Sequence, residues 1–225
     1  MLGWIICREG KCEKLQVRIV CGVPFLVLET PIPRRRRERR ALRAALRKMA
    51  QVGVRRAVVQ GGALPELAAF GILPLDPFPL RLALLPQLLT WVDREWRLGL
   101  SRAAVLLSAD SSGSETLRAA VELTRRARYV LLDTGSGQDA LEEELRQRFG
   151  LGMGGGPAVL EIGLGRRVRG GIPTLYLGRG CESKQRLTVW SSQLPEAEES
   201  MLCALFLAEK LSIRDIQVRF VEFRA

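Results

Sequence analysis

The sequence predicts an α/β fold, a three-layer sandwich around a mostly parallel sheet, plus an N-terminal antiparallel β meander and helices. Two observations carry this prediction. Between residues 101 and 163, apolar runs of strand length alternate with segments of helical character, the order of β-α-β crossovers. Between residues 3 and 29, shorter segments resemble half-buried strands joined by turns. We therefore expect a β-meander and helical region over residues 1–98 and an α/β region over 99–225, which together form two domains or one continuous domain.

The N-terminal region begins with the strands of this meander. Residues 15–19 alternate apolar and polar side chains, and Cys21-Gly22 suits a tight turn before a strand at 24–28. A helix is predicted from Arg34 to Val52, closed by Gly53, with an apolar face formed by Leu42, Leu46 and Met49. A short strand at 55–60, a short helix at 65–70 and an apolar helix at 80–98 complete this region.

The C-terminal region contains three predicted strands. The strand at 103–107 is a continuous apolar run of the kind buried on both faces of a parallel sheet, 129–132 is the next buried strand, and 158–162 is the third. Ser112 and Glu115 fit a capping box that opens the helix after the first strand. Ser136 is the predicted cap of the helix that ends at Gly150. Shorter strands at 174–177, 187–190 and 216–220 and a helix at 195–211 are also expected.

A candidate ligand site lies where the first two of these strands end. Nucleotide-binding α/β units place phosphate at the start of the first helix and an acid about 20 residues on, for the ribose hydroxyls. Asp133 lies at that distance from the loop after Leu107. The predicted ligand contacts are Ser108, Asp110, Ser112, Gly113, Asp133 and Thr134.

On these residues, the segment 101–163 resembles the Rossmann half of a shikimate-dehydrogenase-type protein. The resemblance implies NAD(P) or another nucleotide as the cofactor and a Rossmann-like sandwich as the fold. The glycine fingerprint of that class is absent, because Gly113 is the only glycine in the loop. Asp110 would also repel a phosphate. A Rossmann-like scaffold without a cofactor is therefore the alternative.

A second resemblance is confined to four residues. Asp133-Thr134-Gly135-Ser136, after three apolar residues, resembles the motif of retropepsin-like aspartic peptidases, which implies a catalytic Asp133. With one such motif, the second carboxylate would come from a homodimer. In those families the motif lies in antiparallel β structure, whereas here predicted helices precede and follow the strand. The context favours Asp133 as the last residue of a parallel strand.

The positive charge of the chain supports a third hypothesis. The formal net charge is +11, and most of it comes from arginine. Arg36, Arg40, Arg43 and Arg47 recur at helical spacing and form a basic face that is suited to nucleic-acid phosphates. The alternative is a solvated surface in an arginine-biased, GC-rich coding sequence. Carboxylates elsewhere, such as those of residues 142–144, would then neutralise it within the fold or across a dimer.

Composition also limits the possible chemistry. The chain contains no histidine, which excludes a Ser-His-Asp triad and imidazole metal ligands. The five cysteines contain no C-x-x-C pair and are typical of reduced thiols, so no metal site is predicted. No apolar segment has the length of a membrane span, and the first residues lack a signal-peptide pattern. We therefore expect a cytosolic, bacterial-type protein that does not bind a membrane; whether it is an enzyme stays open.

Overall fold

The structure is a computed structural model that describes residues 1–9, 15–150, 156–165, 171–178 and 185–223, with side chains from 188 to 219 in the last range. It confirms the mixed α/β fold. Contacts divide the chain into two compact units, Met1–Pro77 with Ser191–Ile216, and Phe78–Trp190 with the residues from Gln217 onward. This division differs from the boundary expected at residue 98. The segment 191–216 returns to the first unit, and a linear reading of the sequence contains no signal for such a return.

The first unit contains a five-stranded sheet in the order β2-β3-β1-β4-β5. β1 is parallel to both of its neighbours, β3 and β4, whereas β2 is antiparallel to β3. The predicted antiparallel pairing therefore holds for β2 and β3, but β1 is not part of a meander. The pattern of side chains along a strand does not encode the direction of its neighbour, so both arrangements fit the sequence equally well. The strands are β1 (Leu2–Cys7), β2 (Gln16–Val20), β3 (Val23–Thr30), β4 (Arg56–Gln60) and β5 (Leu73–Pro74).

The turn between β2 and β3 is the predicted Cys21-Gly22 turn. Both residues have positive φ, 47° and 79°, and Val20 pairs with Val23. Two consecutive residues with positive φ form a tight turn whose twist matches that of the flanking strands.

Helix α1 (Arg36–Gln51) connects β3 to β4 and so carries the chain past β1. Its apolar face was predicted correctly, since Leu42, Leu46 and Met49 are fully buried in the core that contains Ile5 and Leu28. α5 (Glu199–Leu207) also belongs to this unit, and it is shorter than the predicted helix at 195–211.

The second unit contains a four-stranded parallel sheet in the order β7-β6-β8-β9. α3 joins β6 to β7 on one side of β6, and α4 then takes the chain from β7 to β8 on its other side. The first connection leads to one neighbour of β6, and the second leads to its other neighbour. The strand order therefore reverses between β6 and β8, which makes this position a topological switch point. The sheet strands are β6 (Ala104–Ala109), β7 (Tyr129–Thr134), β8 (Ala158–Gly163) and β9 (Thr174–Tyr176). The helices are α2 (Phe78–Trp96), α3 (Ser114–Thr124) and α4 (Gln138–Phe149).

Two further strands, β10 (Gln185–Ser191) and β11 (Ile216–Phe223), pair with each other. The guanidinium of Arg219 lies 4.2 Å from the centre of the Trp190 ring, a cation–π contact between these strands. None of the helices in the described ranges has both the length and the apolar character that a membrane crossing requires.

The predicted helix caps differ from those observed. The residue before α3 is Gly113, and no side chain caps the helix, so Ser112 and Glu115 do not form a capping box. The Thr116 hydroxyl donates to the Ser111 carbonyl instead, at 2.7 Å. α4 likewise begins after Gly137 rather than Ser136, because Gly137 adopts a positive φ of 70° at this turn.

Candidate functional site

A row of polar side chains crosses one face of the parallel sheet near the carboxyl ends of its strands. Ser108 on β6 is the register partner of Asp133 on β7, and Glu161 on β8 is the partner of Thr174 on β9. A hydrogen bond between Ser108 and Glu161 connects the two pairs. All four residues are buried, with exposed fractions between 0% and 7%. We call Asp133, Ser108, Glu161 and Thr174 the polar row.

Hydroxyl groups support the Glu161 carboxylate. The Ser108 hydroxyl donates to Glu161 Oε1 at 2.5 Å, and the Thr174 hydroxyl lies 3.3 Å from Oε2. The Thr174 oxygen is also 3.0 Å from the Ile172 carbonyl, so its single proton is shared between two acceptors. Since Ser108 is on β6 and Glu161 on β8, their hydrogen bond spans the switch point. This is where open α/β sheets bind ligands.

The loop after β6 is held against the loop after β7. Gly135 N donates to the Ala109 carbonyl at 3.1 Å, and Ser112 N donates to the Ser136 carbonyl at 3.2 Å. A Cβ on Gly137 would collide with the Ser112 hydroxyl, so only glycine permits this close approach. The contacts fix Ser112 and Gly113 beside the start of α3.

The loop after β8 closes the other side of the switch point. Leu164 N donates to the Ser108 carbonyl at 2.9 Å, which continues the β6–β8 ladder by one residue. The Asp110 carboxylate lies against Gly165, and the Leu164 carbonyl lies against Gly178. A Cβ would overlap the neighbouring atoms at both contacts, but only at Gly178 are those atoms backbone, so the close approach requires glycine there. The loops after β7 and β8 are therefore both held against the loop after β6.

The predicted ligand residues fall into three groups. Ser108 and Asp133 belong to the polar row, whereas Asp110, Ser112 and Gly113 belong to the loop above it. Thr134 is not part of the row, because the residue after Asp133 points to the opposite face of the sheet. Its hydroxyl and amide are 3.4 Å from the Ser136 carbonyl and 3.3 Å from the Gln138 side-chain oxygen, respectively.

The prediction missed Glu161 and Thr174. The signal for Glu161 was present, since it is the one charged residue in the otherwise apolar strand predicted at 158–162. A carboxylate in such a strand needs donors nearby, which predicts polar partners on adjacent strands. Thr174 had no such signal, because threonine is common in strands without any polar role.

The surroundings of Asp133 bear on the peptidase hypothesis. β7 is parallel to β6, with α3 before it and α4 after it. The geometry is that of a strand-to-helix crossover and does not favour the antiparallel setting of the retropepsin-like motif.

The thiols of Cys7 and Cys21 are free, and the Cys203 thiol donates to the Asp76 carbonyl at 3.5 Å. Burial raises the pKa of the Cys7 thiol, which keeps it protonated and unreactive at neutral pH. Cys12 and Cys181 lie outside the described residues. Within the described ranges, no group of three or more Cys, Asp or Glu side chains is placed to hold a metal ion.

No protein-family model matches the chain, and no curated protein matches it at a significant level.

Removal of the Ser108 hydroxyl is expected to destabilise the second unit. Ser108→Ala takes a donor from a fully buried carboxylate, and an unsatisfied buried group costs about 1–3 kcal/mol. The expected loss is about 1–2 kcal/mol, because the Thr174 hydroxyl still serves the same carboxylate. Urea denaturation measures it, with Ser101→Ala, at an exposed serine, as the matched control. Equal midpoints for the two variants would contradict the assigned hydrogen bond.

Proposed function

We propose that the second unit is a Rossmann-like binding or regulatory module that takes the ribose of a nucleotide, a dinucleotide or another adenosine-bearing ligand at the carboxyl ends of β6 and β7. Asp133 accepts hydrogen bonds from the ribose hydroxyls in this proposal. The observation that carries it is the pairing of Asp133 with Ser108 directly beside the β6–β8 switch point. An acid at the end of the strand next to the first strand is the arrangement that selects ribose in nucleotide-binding α/β folds.

Charge around the row favours ligands with few phosphates. Asp133 and Glu161 are both acidic, and Asp110 adds a third carboxylate in the loop above them. Neither the loop after β6 nor the loop after β7 contains a lysine or arginine. A phosphate beside these carboxylates would be repelled, whereas hydroxyl groups and cations would be attracted. We therefore expect adenosine or S-adenosylmethionine, which has a cationic sulfur, to bind more tightly than NAD, NADP or ATP.

The proposal includes a cytosolic location. The free thiols of Cys7 and Cys21 support a reducing compartment.

Thermal unfolding of the full chain in the presence of these five ligands tests the proposal. A ligand that binds only the folded state raises the unfolding free energy by about 2.7 kcal/mol at 100 times its Kd. We expect a clear rise in Tm with at least one ribose-bearing ligand at millimolar concentration. No shift with any of the five would contradict the proposal.

The role of Asp133 is tested by comparing adenosine with 2′-deoxyadenosine. A hydrogen bond to a charged group contributes about 1.5–3 kcal/mol, so the wild-type protein should prefer adenosine by roughly 10- to 100-fold. Asp133→Asn should remove most of this preference. Asp139→Asn is the matched control, since Asp139 is exposed in the first turn of α4 and should leave the preference unchanged. A preference that survives Asp133→Asn would show that another group reads the ribose.

A further inference from the structure

Four arginines form a single stripe along α1. Arg36, Arg40, Arg43 and Arg47 are all exposed, and their spacing of four, three and four residues places them within about 60° around the helix axis. The stripe extends for about 16 Å at the helical rise of 1.5 Å per residue. The arginine stripe, as we name these four residues, begins beside further exposed arginines, Arg34, Arg35, Arg37 and Arg39.

Carboxylates in the described part of the chain do not neutralise this stripe. The three glutamates of residues 142–144, which the sequence suggested as possible partners, instead contact other residues of α4. Glu142 contacts Gln138, Glu143 pairs with Arg146 and Glu144 pairs with Arg148. No ion pair joins the four stripe arginines to an acid among the described residues.

Glu38 is the one carboxylate within α1, and it serves the start of the helix. Its Oε2 accepts hydrogen bonds from the backbone N–H groups of Arg34 and Arg35, at 2.8 and 2.9 Å. These two bonds hold the pKa of the Glu38 carboxyl below its usual range. The carboxylate is thus committed to backbone donors, and the stripe keeps its positive charge.

We propose that the arginine stripe binds the phosphate backbone of a double-stranded nucleic acid. A duplex carries one negative charge per about 1.7 Å of its axis, so a row of guanidinium groups over about 16 Å faces a dense array of phosphates. Guanidinium groups bind phosphate oxygens in a two-pronged geometry. The stripe residues belong to the first unit, so this proposal uses none of the residues of the ribose site in the second unit.

Two features of α1 favour a nucleic-acid duplex over other polyanionic partners. The apolar residues Leu42, Leu46 and Met49 are fully buried in the core, so the helix has no apolar face to insert into a lipid surface. α1 contains no aromatic residue, so it lacks both the stacking platforms of single-strand binders and the aromatic anchors typical of protein interfaces. The arginines of α1 can still contact the phosphate backbone of a duplex, and this contact does not depend on base sequence.

The salt dependence gives the expected magnitude. Each phosphate contact contributes about −0.9 to the slope of log K against log salt, so four contacts give a slope of about −3.6. Affinity should then fall about 150-fold between 50 and 200 mM salt. Contacts by the neighbouring arginines would make the slope steeper.

Fluorescence anisotropy with the full chain and a labelled 20-base-pair duplex tests the proposal. The variant R36Q/R40Q/R43Q/R47Q should flatten the slope by about 3.6 and weaken binding more than tenfold at 50 mM salt. Glutamine has a helix propensity close to that of arginine, so α1 should stay folded, and circular dichroism checks this. Duplex DNA and duplex RNA of the same sequence are titrated separately. The duplex that binds more tightly shows whether the protein prefers DNA or RNA.

A second variant serves as the control, because it also removes four positive charges but none from the arginine stripe. R94Q/R125Q/R146Q/R148Q replaces four exposed arginines that are paired with Glu95, Glu122, Glu143 and Glu144. It should retain the slope and most of the affinity. Equal weakening by both variants would overturn the proposal, because net charge alone would then explain binding. Absence of duplex binding, or binding only to single strands, to polyglutamate or to vesicles with anionic lipid, would also overturn it.

Discussion

Leu106→Ala and Leu107→Ala are each expected to lower the free energy of unfolding of the second unit by about 2–5 kcal/mol. Consecutive residues of a strand point to opposite faces of the sheet, so these two leucines report on different layers. Leu106 is 5% exposed and Leu107 is fully buried. Both substitutions leave a cavity only if both faces of β6 are covered, which is the defining property of a three-layer fold.

Chemical denaturation combined with amide hydrogen exchange in β6 measures the two losses separately from the stability of the first unit. Leu73→Ala provides the control, because Leu73 is 60% exposed and should lose well under 1 kcal/mol. A near-neutral result for either Leu106→Ala or Leu107→Ala would mean that one face of the parallel sheet is uncovered, contrary to the structure.

Gly178→Ala is expected to destabilise the second unit by about 3 kcal/mol, the upper part of the usual range for forced overpacking. A Cβ at this position would overlap the backbone carbonyl of Leu164, which leads the loop after β8. Because a backbone atom cannot rotate away, the loop itself has to move. The same movement should also weaken binding at the polar row, since Leu164 N is hydrogen-bonded to the Ser108 carbonyl.

Gly165→Ala is the informative comparison for this effect. Its Cβ would also overlap a neighbour, but that neighbour is the side-chain carboxylate of Asp110, which is exposed and can change rotamer. We therefore expect a loss of about 1 kcal/mol or less, measured by the same denaturation. A larger loss for Gly165→Ala than for Gly178→Ala would contradict the assigned packing of the three loops.

Much of the second unit could be predicted from the sequence because its strands are continuous apolar runs. β6, β7 and β8 were each expected within one or two residues of their observed bounds. The order of strands and helices then implied parallel crossovers, and these placed Asp133 beside Ser108, as observed. Local hydrophobic pattern and connection length are sufficient for this level of the fold.

Four features could not be predicted in the same way. The parallel neighbours of β1 and the return of residues 191–216 to the first unit depend on contacts between distant parts of the chain. The polar row depends on strand register, which fixes whether Glu161 faces Ser108 or the opposite layer. The helix starts differed because Gly113 and Gly137 satisfy the turn geometry where serine caps were expected.

In the proposed function, the carboxyl ends of β6 and β7 bind the ribose of a nucleotide or of another adenosine-bearing ligand. Backbone NMR of the full chain during titration with S-adenosylmethionine and adenosine tests it most directly. We expect chemical-shift changes that saturate, that are concentrated at residues 108–113 and 133–137, and that are lost in Asp133→Asn. Saturable changes concentrated elsewhere in the chain, or no changes at millimolar ligand, would contradict it.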